Sequence, residues 1–284
     1  MDDQSLQYIQ SVRQRLSDNA DTSARFVAAE LKRFGFKPRT AQGCVYCDIG
    51  RSRTRTAFYA ELSDTYQTSV MLSFAAELAA YDIAGVRLVF DGNTDDEHDL
   101  FDGVSELYSV VLCDDPAIKE IGCCYGIACA GLLEFSLNVI GGWNDGKQVY
   151  PQVAQIAARY GMACAETDGR ITLRYFDKAK CESALLDVER VAQSFDDEYG
   201  TEHTLIVAKN YPPLKNDALC VDKVRHASGG KVTSMSLSQQ ACGVSRSLDG
   251  VCGCTVFAGE AAMRAIVRLF LRLVGVPTDN PQGE

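Results

Sequence analysis

The block from Glu134 to Tyr211 breaks the rhythm of the chain around it, and that break constrains the fold more than any short motif does. Before it, strand-like and helix-like runs alternate. Strands are expected at 44–49, 56–61, 86–90 and 108–113, with an apolar helix near 67–81 and a short helix ahead of the last strand. Alternation of this kind builds an open α/β sheet with helices on its faces. The first two strands are separated by the polar turn 50–55 and read as a hairpin. Then come a strand at 134–140, a helix at 147–160, a strand at 170–176, a helix at 179–195 and a strand at 203–208. This β-α-β-α-β run is a small α+β layer. Tyr211-Pro212-Pro213 closes it, because consecutive prolines continue neither helix nor strand. The alternation then resumes with a helix at 217–227, strands at 231–235 and 250–257, and an amphipathic helix at 259–274. The expected fold class is α/β. Residues 1–132 and 212–284 form an open mixed-sheet domain, and residues 133–211 form a smaller inserted α+β domain.

Composition narrows what such a chain can do. Its 284 residues can bury a sizeable core without covalent staples. The net charge of −10, from 28 basic and 38 acidic residues, repels a phosphate backbone, so nucleic acid is not an expected partner. No apolar run reaches the roughly 18 residues a membrane span needs, so no membrane association is expected. The acidic, polar start MDDQSLQYIQ is unlike a signal peptide, and the expected location is the cytoplasm. Twelve cysteines in that setting are expected to be free thiols, packed as small hydrophobes or holding metal. Cys44-x-x-Cys47 has a zinc-like spacing, but in a strand residues i and i+3 point to opposite faces. Cys252 and Cys254 share a strand face, whereas the adjacent Cys123 and Cys124 diverge.

Several segments, in order, resemble the zinc-dependent aminoacylase–carboxypeptidase amidohydrolases, peptidase family M20, and within it the hippurate-hydrolase branch. "AAELKRFGF" with "GCVYCDIG" resembles the opening helix and strand, and "RTAFYAEL" the strand that carries the metal-bridging Asp. "GVRLVFDGNTDDE" resembles the strand leading to a paired-glutamate loop, and "FSLNVIGG" the first lid strand. "ITLRYFDKAKCESALLDVERVAQSF", "NYPPLKND" and "AGEAAMRAIVRLFLRLV" resemble a lid strand and helix, the hinge and the last helix. The resemblance implies a catalytic-type domain with an inserted lid of the dimerisation type. It also implies two zinc or similar ions, a glutamate general base acting on metal-bound water, and amide hydrolysis.

The ligands that chemistry needs are missing. Of the three histidines, His98, His203 and His226, neither of the last two falls where the family keeps a ligand. Ser63 replaces the bridging Asp, and the His-rich ligand loop shrinks to "DTYQTSV". The paired glutamates become Thr94-Asp95-Asp96 with Glu97 beside them, Cys113 stands for a histidine, and Trp143 stands where the lid helix would open on one. Only "GMACA" remains where the family places a further lid strand, leaving three strands and two helices.

What remains is a set of candidates. Glu61, Asp95, Asp96, Glu97 and Cys113 are the candidate catalytic residues. Asp64, Asp95, Asp96 and His98 are the candidate metal ligands, since a carboxylate-rich loop after a strand end can take a hard or borderline cation. A charge run of this kind is equally at home as a solvated loop. Arg174 stands where the family keeps an Arg near a substrate carboxylate, and it can also pair structurally with Asp177 or Glu134. Two functions follow. The first is a catalytically inactive binding or assembly protein, without cofactor, that forms a homodimer through the lid or pairs with an active relative. The second is a divergent hydrolase of small N-acyl amino acids or peptides, using zinc or another divalent metal at a rebuilt site.

Overall fold

The computed structural model describes residues 3–18, 23–41, 43–92, 98–112, 121–140, 149–229 and 251–278. In chain order these form α1 (Asp3–Asp18), α2 (Ser23–Arg33), β1 (Arg39–Ala41), β2 (Cys44–Ile49), β3 (Arg55–Glu61), α3 (Thr65–Leu78) and β4 (Val86–Asp91). A 3-10 turn (His98–Phe101) precedes β5 (Val104–Leu112), β6 (Ile121–Gly122), β7 (Gly126–Cys129) and β8 (Gly131–Ile140). Then follow α4 (Val149–Arg159), β9 (Ala163–Thr167), β10 (Arg170–Tyr175), α5 (Lys178–Tyr199), β11 (Glu202–Tyr211) and β12 (Leu214–Asn216). The chain continues through α6 (Ala218–Ala227), β13 (Cys252–Ala258), a 3-10 turn (Glu260–Ala262) and α7 (Met263–Leu273). The expected strand at 231–235 lies outside the described residues. Two compact units result. One takes the chain up to Gly126 and again from Asn216, and the other takes Ile127–Lys215.

The first unit is a mixed sheet of order β1-β2-β4-β3-β5-β13-β6. Strands β4, β3, β5 and β13 run parallel, while β2 joins β4, and β6 joins β13, antiparallel. The expected hairpin between 44–49 and 56–61 does not form, because β4 lies between them. The reason lies in β3 itself. Ala57, Phe58, Tyr59 and Ala60 are all buried, a run that needs a strand on each side and cover on both faces. The 50–55 segment therefore crosses the start of β4, with Ser52 N donating to Ala84 O at 2.8 Å. The crossing is close enough that a Cβ on Gly50, whose φ is +81°, would meet Ile83 O at 2.1 Å.

Helices α3 and α7 cover one face. As its apolar composition predicts, α3 is buried from Tyr66 through Ala75 and again at Leu78. Phe58, Phe74 and Phe270 meet there with ring centroids 4.6–5.5 Å apart. The other face carries a smaller cluster of Cys44, Ala57, Tyr59, Val89, Leu100 and Leu107. Cys44 belongs to this cluster and Cys47 to the larger one, so the Cys-x-x-Cys spacing is strand packing on two faces.

A buried guanidinium sits at the junction of the antiparallel and parallel parts of the sheet. Arg87 on β4 is 6% exposed and faces Asp48 on β2. It donates to both Asp48 oxygens, at 2.6 and 3.0 Å, and to the carbonyls of Leu100 and Asp102, at 2.8 and 3.1 Å. Partial burial pushes the Asp48 carboxyl up, but the Arg87 hydrogen bonds, the Arg87 charge and Arg55 outweigh it and hold the group below the usual carboxylate range.

The second unit is an antiparallel sheet of order β11-β8-β10-β9 with α4 and α5 packed on one face. The segment "GMACA", expected to leave no strand, instead opens β9, so this sheet has four strands among the described residues. The cause is a two-residue hairpin turn. Asp168 (φ 52°) and Gly169 (φ 76°) both take left-handed backbone, and Thr167 pairs with Arg170. An Asp-Gly pair with both φ values positive is the type I′ turn, whose twist matches antiparallel strands.

Arg87→Leu strands Asp48 and two carbonyls without their donor. It is expected to cost about 3–5 kcal/mol, read as a lower urea midpoint with an unchanged slope. Because the Asp48 pKa is lowered on folding, its contribution is full above about pH 4 and is lost as pH falls below that. Asp48→Asn should therefore lower stability at pH 7 and flatten its decline between pH 5 and pH 3.

Candidate functional site

The four parallel strands end together, and open α/β sheets place ligands at such carboxyl ends. Here the ends are Glu61 on β3, Asp91 on β4, Leu112 on β5 and Ala258 on β13. Glu61 and Asp91 are register partners, so their side chains leave the same face of neighbouring strands. Asp91 is 2% exposed. Its Oδ2 accepts from the Tyr59 hydroxyl at 2.8 Å and its Oδ1 from the Cys44 thiol at 3.2 Å. Gly92 N in turn donates to Cys44 Sγ at 3.5 Å.

Immediately after Glu61 the chain turns into α3, and that turn consumes Asp64. Asp64 is the N-cap, with extended backbone (φ −92°, ψ 100°). Its Oδ1 accepts from Tyr66 N at 2.9 Å and Gln67 N at 3.0 Å, two of the donors a helix start leaves unpaired. The same first turn grips the backbone of Glu61. Gln67 Oε1 accepts from Glu61 N at 3.0 Å, and Thr68 Oγ1 donates to Glu61 O at 3.0 Å.

The other candidates are dispersed. Asp95, Asp96, Glu97, Cys113 and Trp143 lie outside the described residues, and of His98 only the backbone, at the start of the 3-10 turn, is described. Arg174 lies on β10 between Leu132 and Ala163. Of the two partners expected for it, Glu134 accepts from Arg170 at 3.1 Å and lies 3.7 Å from Lys209 Nζ, and Asp177 caps α5 through Lys180 N at 3.2 Å. His203 Nδ1 is bound to Asp196, which also accepts from Thr201 Oγ1 at 2.7 Å, so this histidine closes the end of α5. His226 lines a cavity of about 910 Å³ with Glu106, Cys220, Lys223 and Cys252, at the amino ends of β5 and β13. There Lys223 is ion-paired with Glu106, and burial pushes the Cys220 thiol up to about 11.

Asp91, Tyr59 and Cys44 form the polar group that sequence reasoning missed. The period-2 spacing of Tyr59 and Glu61 marks them as one face, but nothing along the chain announces that β2 and β4 are neighbours. A two-metal centre of imidazoles and carboxylates is not assembled among the described residues. Among the described residues no three His, Cys, Asp or Glu side chains are grouped to hold a metal ion. One oxygen of Asp64 is committed to the helix, and both oxygens of Asp91 take protein donors.

No family model matches the chain, and no curated protein matches it in sequence. Solved structures do. The Bacillus subtilis YXEP protein, a dinuclear metal binding peptidase from the M20 family, superposes with a TM-score of 0.67 at 14% identity, over 96% of this chain and 98% of that one. The aminobenzoyl-glutamate utilization protein of Klebsiella pneumoniae gives 0.68 at 12% identity, over 95% and 96%. A hydantoinase/carbamoylase family amidase of Burkholderia ambifaria gives 0.58 at 12% identity, over 95% and 97%. The chain has the fold of these amidohydrolases and peptidases, as the ordered segments of its sequence predict.

If Asp64 acts as a cap, Asp64→Ala should lower stability by about 1 kcal/mol and Asp64→Ser should restore most of it. Thermal melts of both variants check this. A serine that failed to restore stability would remove the capping account.

Proposed function

We propose that this protein is a catalytically inactive binding or assembly protein on an amidohydrolase scaffold. The carrying observation is what has become of the carboxylates at the strand ends: Asp64 is turned into a helix cap, and Asp91 is sealed by Tyr59 and Cys44. A metal-dependent hydrolase needs free carboxylate oxygens on cations that lower the pKa of bound water, and without such ligands the nucleophile is lost. The test is elemental analysis of the purified chain together with an amidase screen on N-acyl amino acids and small peptides. Less than 0.1 equivalent of metal and no turnover are expected. Two retained metals with turnover would overturn the reading.

Pairing is part of the proposal, as a homodimer through the second unit or with an active relative. Strand β11 is the edge of its sheet, is ten residues long, and exposes Ile206 (47%) and Val207 (44%). Among the described residues no strand pairs with its outer side, and an edge of that length with apolar side chains beside it is a template for another strand. Ile206→Lys with Val207→Lys should shift the chain from dimer to monomer in sedimentation, without unfolding. A wild-type chain that sediments only as a monomer would sink the homodimer. A cytoplasmic location is part of the proposal; separately, no helix of the described residues is long and apolar enough to cross a membrane.

A second reading, a divergent hydrolase of small N-acyl amino acids or peptides, draws on the Glu61–Asp91 pair and on the acidic Asp95, Asp96 and Glu97 that follow Asp91 in sequence. It takes from the YXEP peptidase the expectation of a dinuclear metal site. Asp96→Ala and Glu97→Ala would then abolish both metal binding and turnover. Unchanged metal content and unchanged activity in both would end it.

A further inference from the structure

Cys123 and Cys254 are 131 positions apart in sequence, yet their sulfurs lie 3.2 Å apart in the first unit. The pairing of β6 with β13 brings them together: Gly122 faces Phe257 and Ile121 faces Ala258, which leaves Cys123 at the end of the short strand, beside Cys254. Both side chains are buried, at 4% and 2% exposure. The surrounding backbone is fixed by Asn216. Its Nδ2 donates to Cys124 O at 3.0 Å and Thr255 O at 3.1 Å, its Oδ1 accepts from Thr255 N at 2.7 Å, and Nδ2 also lies 3.7 Å from Cys123 Sγ.

Two thiols so placed have two chemical uses, and the distance favours one. Zinc–sulfur bonds of about 2.3 Å in a tetrahedron hold their sulfurs about 3.8 Å apart. This pair is already closer, and no third ligand is grouped with it among the described residues. A disulfide needs the sulfurs at about 2.05 Å, an approach of roughly 1 Å from where they stand. We propose that Cys123 and Cys254 are a dithiol that a small peroxide oxidises to a disulfide, tying edge strand β6 to β13.

The step balances without a cofactor. One sulfur, having lost its proton, attacks the peroxide and breaks the O–O bond, which gives a sulfenic acid and one water. The second sulfur displaces the sulfenyl oxygen as a second water, and the S–S bond forms. Two thiols lose two electrons and two protons, and the peroxide takes up both. Access comes through the edge, since β6 has only two residues and such segments open locally at little cost. In the closed state the Cys123 hydrogen bond and burial hold the Cys254 thiol well above its ordinary pKa, so the resting Cys254 stays protonated. Cys252, two residues before Cys254 on the same strand face, is exposed on the cavity and is the competing thiol. The bond would enclose the whole segment from 123 to 254, so it constrains the unfolded chain over a long loop.

The test uses the full-length reduced chain, treated with equimolar hydrogen peroxide, quenched, alkylated and digested. Fragmentation mass spectrometry then separates Cys123 from Cys124 and Cys252 from Cys254. The expected product is lighter by two hydrogens, carries a Cys123–Cys254 link that dithiothreitol removes, and melts about 5 °C higher than the reduced form. Cys123→Ala and Cys254→Ala should lose both the link and the shift, and Cys124→Ala should keep both. Should the alanine variants fail to fold, the wild-type linkage map decides alone. Peroxide modification confined to Cys252 would overturn the proposal. So would equimolar zinc held by the reduced chain and released on alkylation of Cys123. Neither outcome bears on whether the protein hydrolyses amides.

Discussion

The buried Arg87 guanidinium is the constraint that organises the large sheet. A cation removed from water must find partners or the fold loses several kcal/mol. Arg87 finds them on two sides: Asp48 across the antiparallel pairing with β2, and the carbonyls of Leu100 and Asp102 in the connection to β5. Those partners require β4 to lie beside β2, and they pin the start of the chain that delivers β5. With β4 held there, β3 can only join on its far side, parallel, and the strand order of the central sheet follows. The hairpin that the polar 50–55 turn suggests would place β3 beside β2 and leave Arg87 without its carboxylate. A weak local turn preference loses to a paired buried charge.

That strand order determines what stands at the carboxyl ends. Because β4 separates β2 from β3, Cys44, Asp91 and Glu61 line up across three strands, and Tyr59 reaches Asp91 from the same face as Glu61. The arrangement keeps acidic groups where the fold places its chemistry but gives them internal partners. The turn after Glu61 shows the same economy. A short connection into α3 must satisfy the helix's first amides, and Asp64 and Gln67 do so with side chains. A longer loop could present a carboxylate to a ligand. This one, at three residues between β3 and α3, uses its carboxylate for the helix start.

The fold class was legible because it rests on periodicity and order, which survive divergence. The apolar helix α3 and the amphipathic α7 are both local signals. What escaped is non-local or small. Strand β9 has exposed, mixed side chains and no alternation, and only the Asp168-Gly169 turn betrays it. Strand β6 has two residues. The Tyr59–Cys44–Asp91 group and the Cys123–Cys254 contact each join segments from 32 to 131 positions apart, and no spacing rule encodes them. Two cysteine motifs visible in the sequence, 44/47 and 123/124, have their partners elsewhere: Cys44 with Asp91, and Cys123 with Cys254.

An inserted unit raises a further physical problem, which Asn216 resolves. The chain leaves the first unit near Gly126 and returns at Asn216, with some ninety residues of the second unit between. Exit and return must be joined, or the backbone at both points would be buried with its polar groups unpaired. The Asn216 amide does this from inside the core. It is 6% exposed, donates to Cys124 O on the outgoing segment and to Thr255 O on β13, and accepts from Thr255 N. An apolar residue of the same size would remove all three of these hydrogen bonds, each worth about 0.5–1.5 kcal/mol. Ser109 and Thr255, with hydroxyls 2.6 Å apart, extend the same polar seam along β13 to β5. The thiol pair lies on this seam, where backbone from three distant parts of the chain is held within a few ångströms. The β6–β13 pairing sets the two thiols side by side, and the buried Asn216 amide ties the backbone beside them to the returning chain.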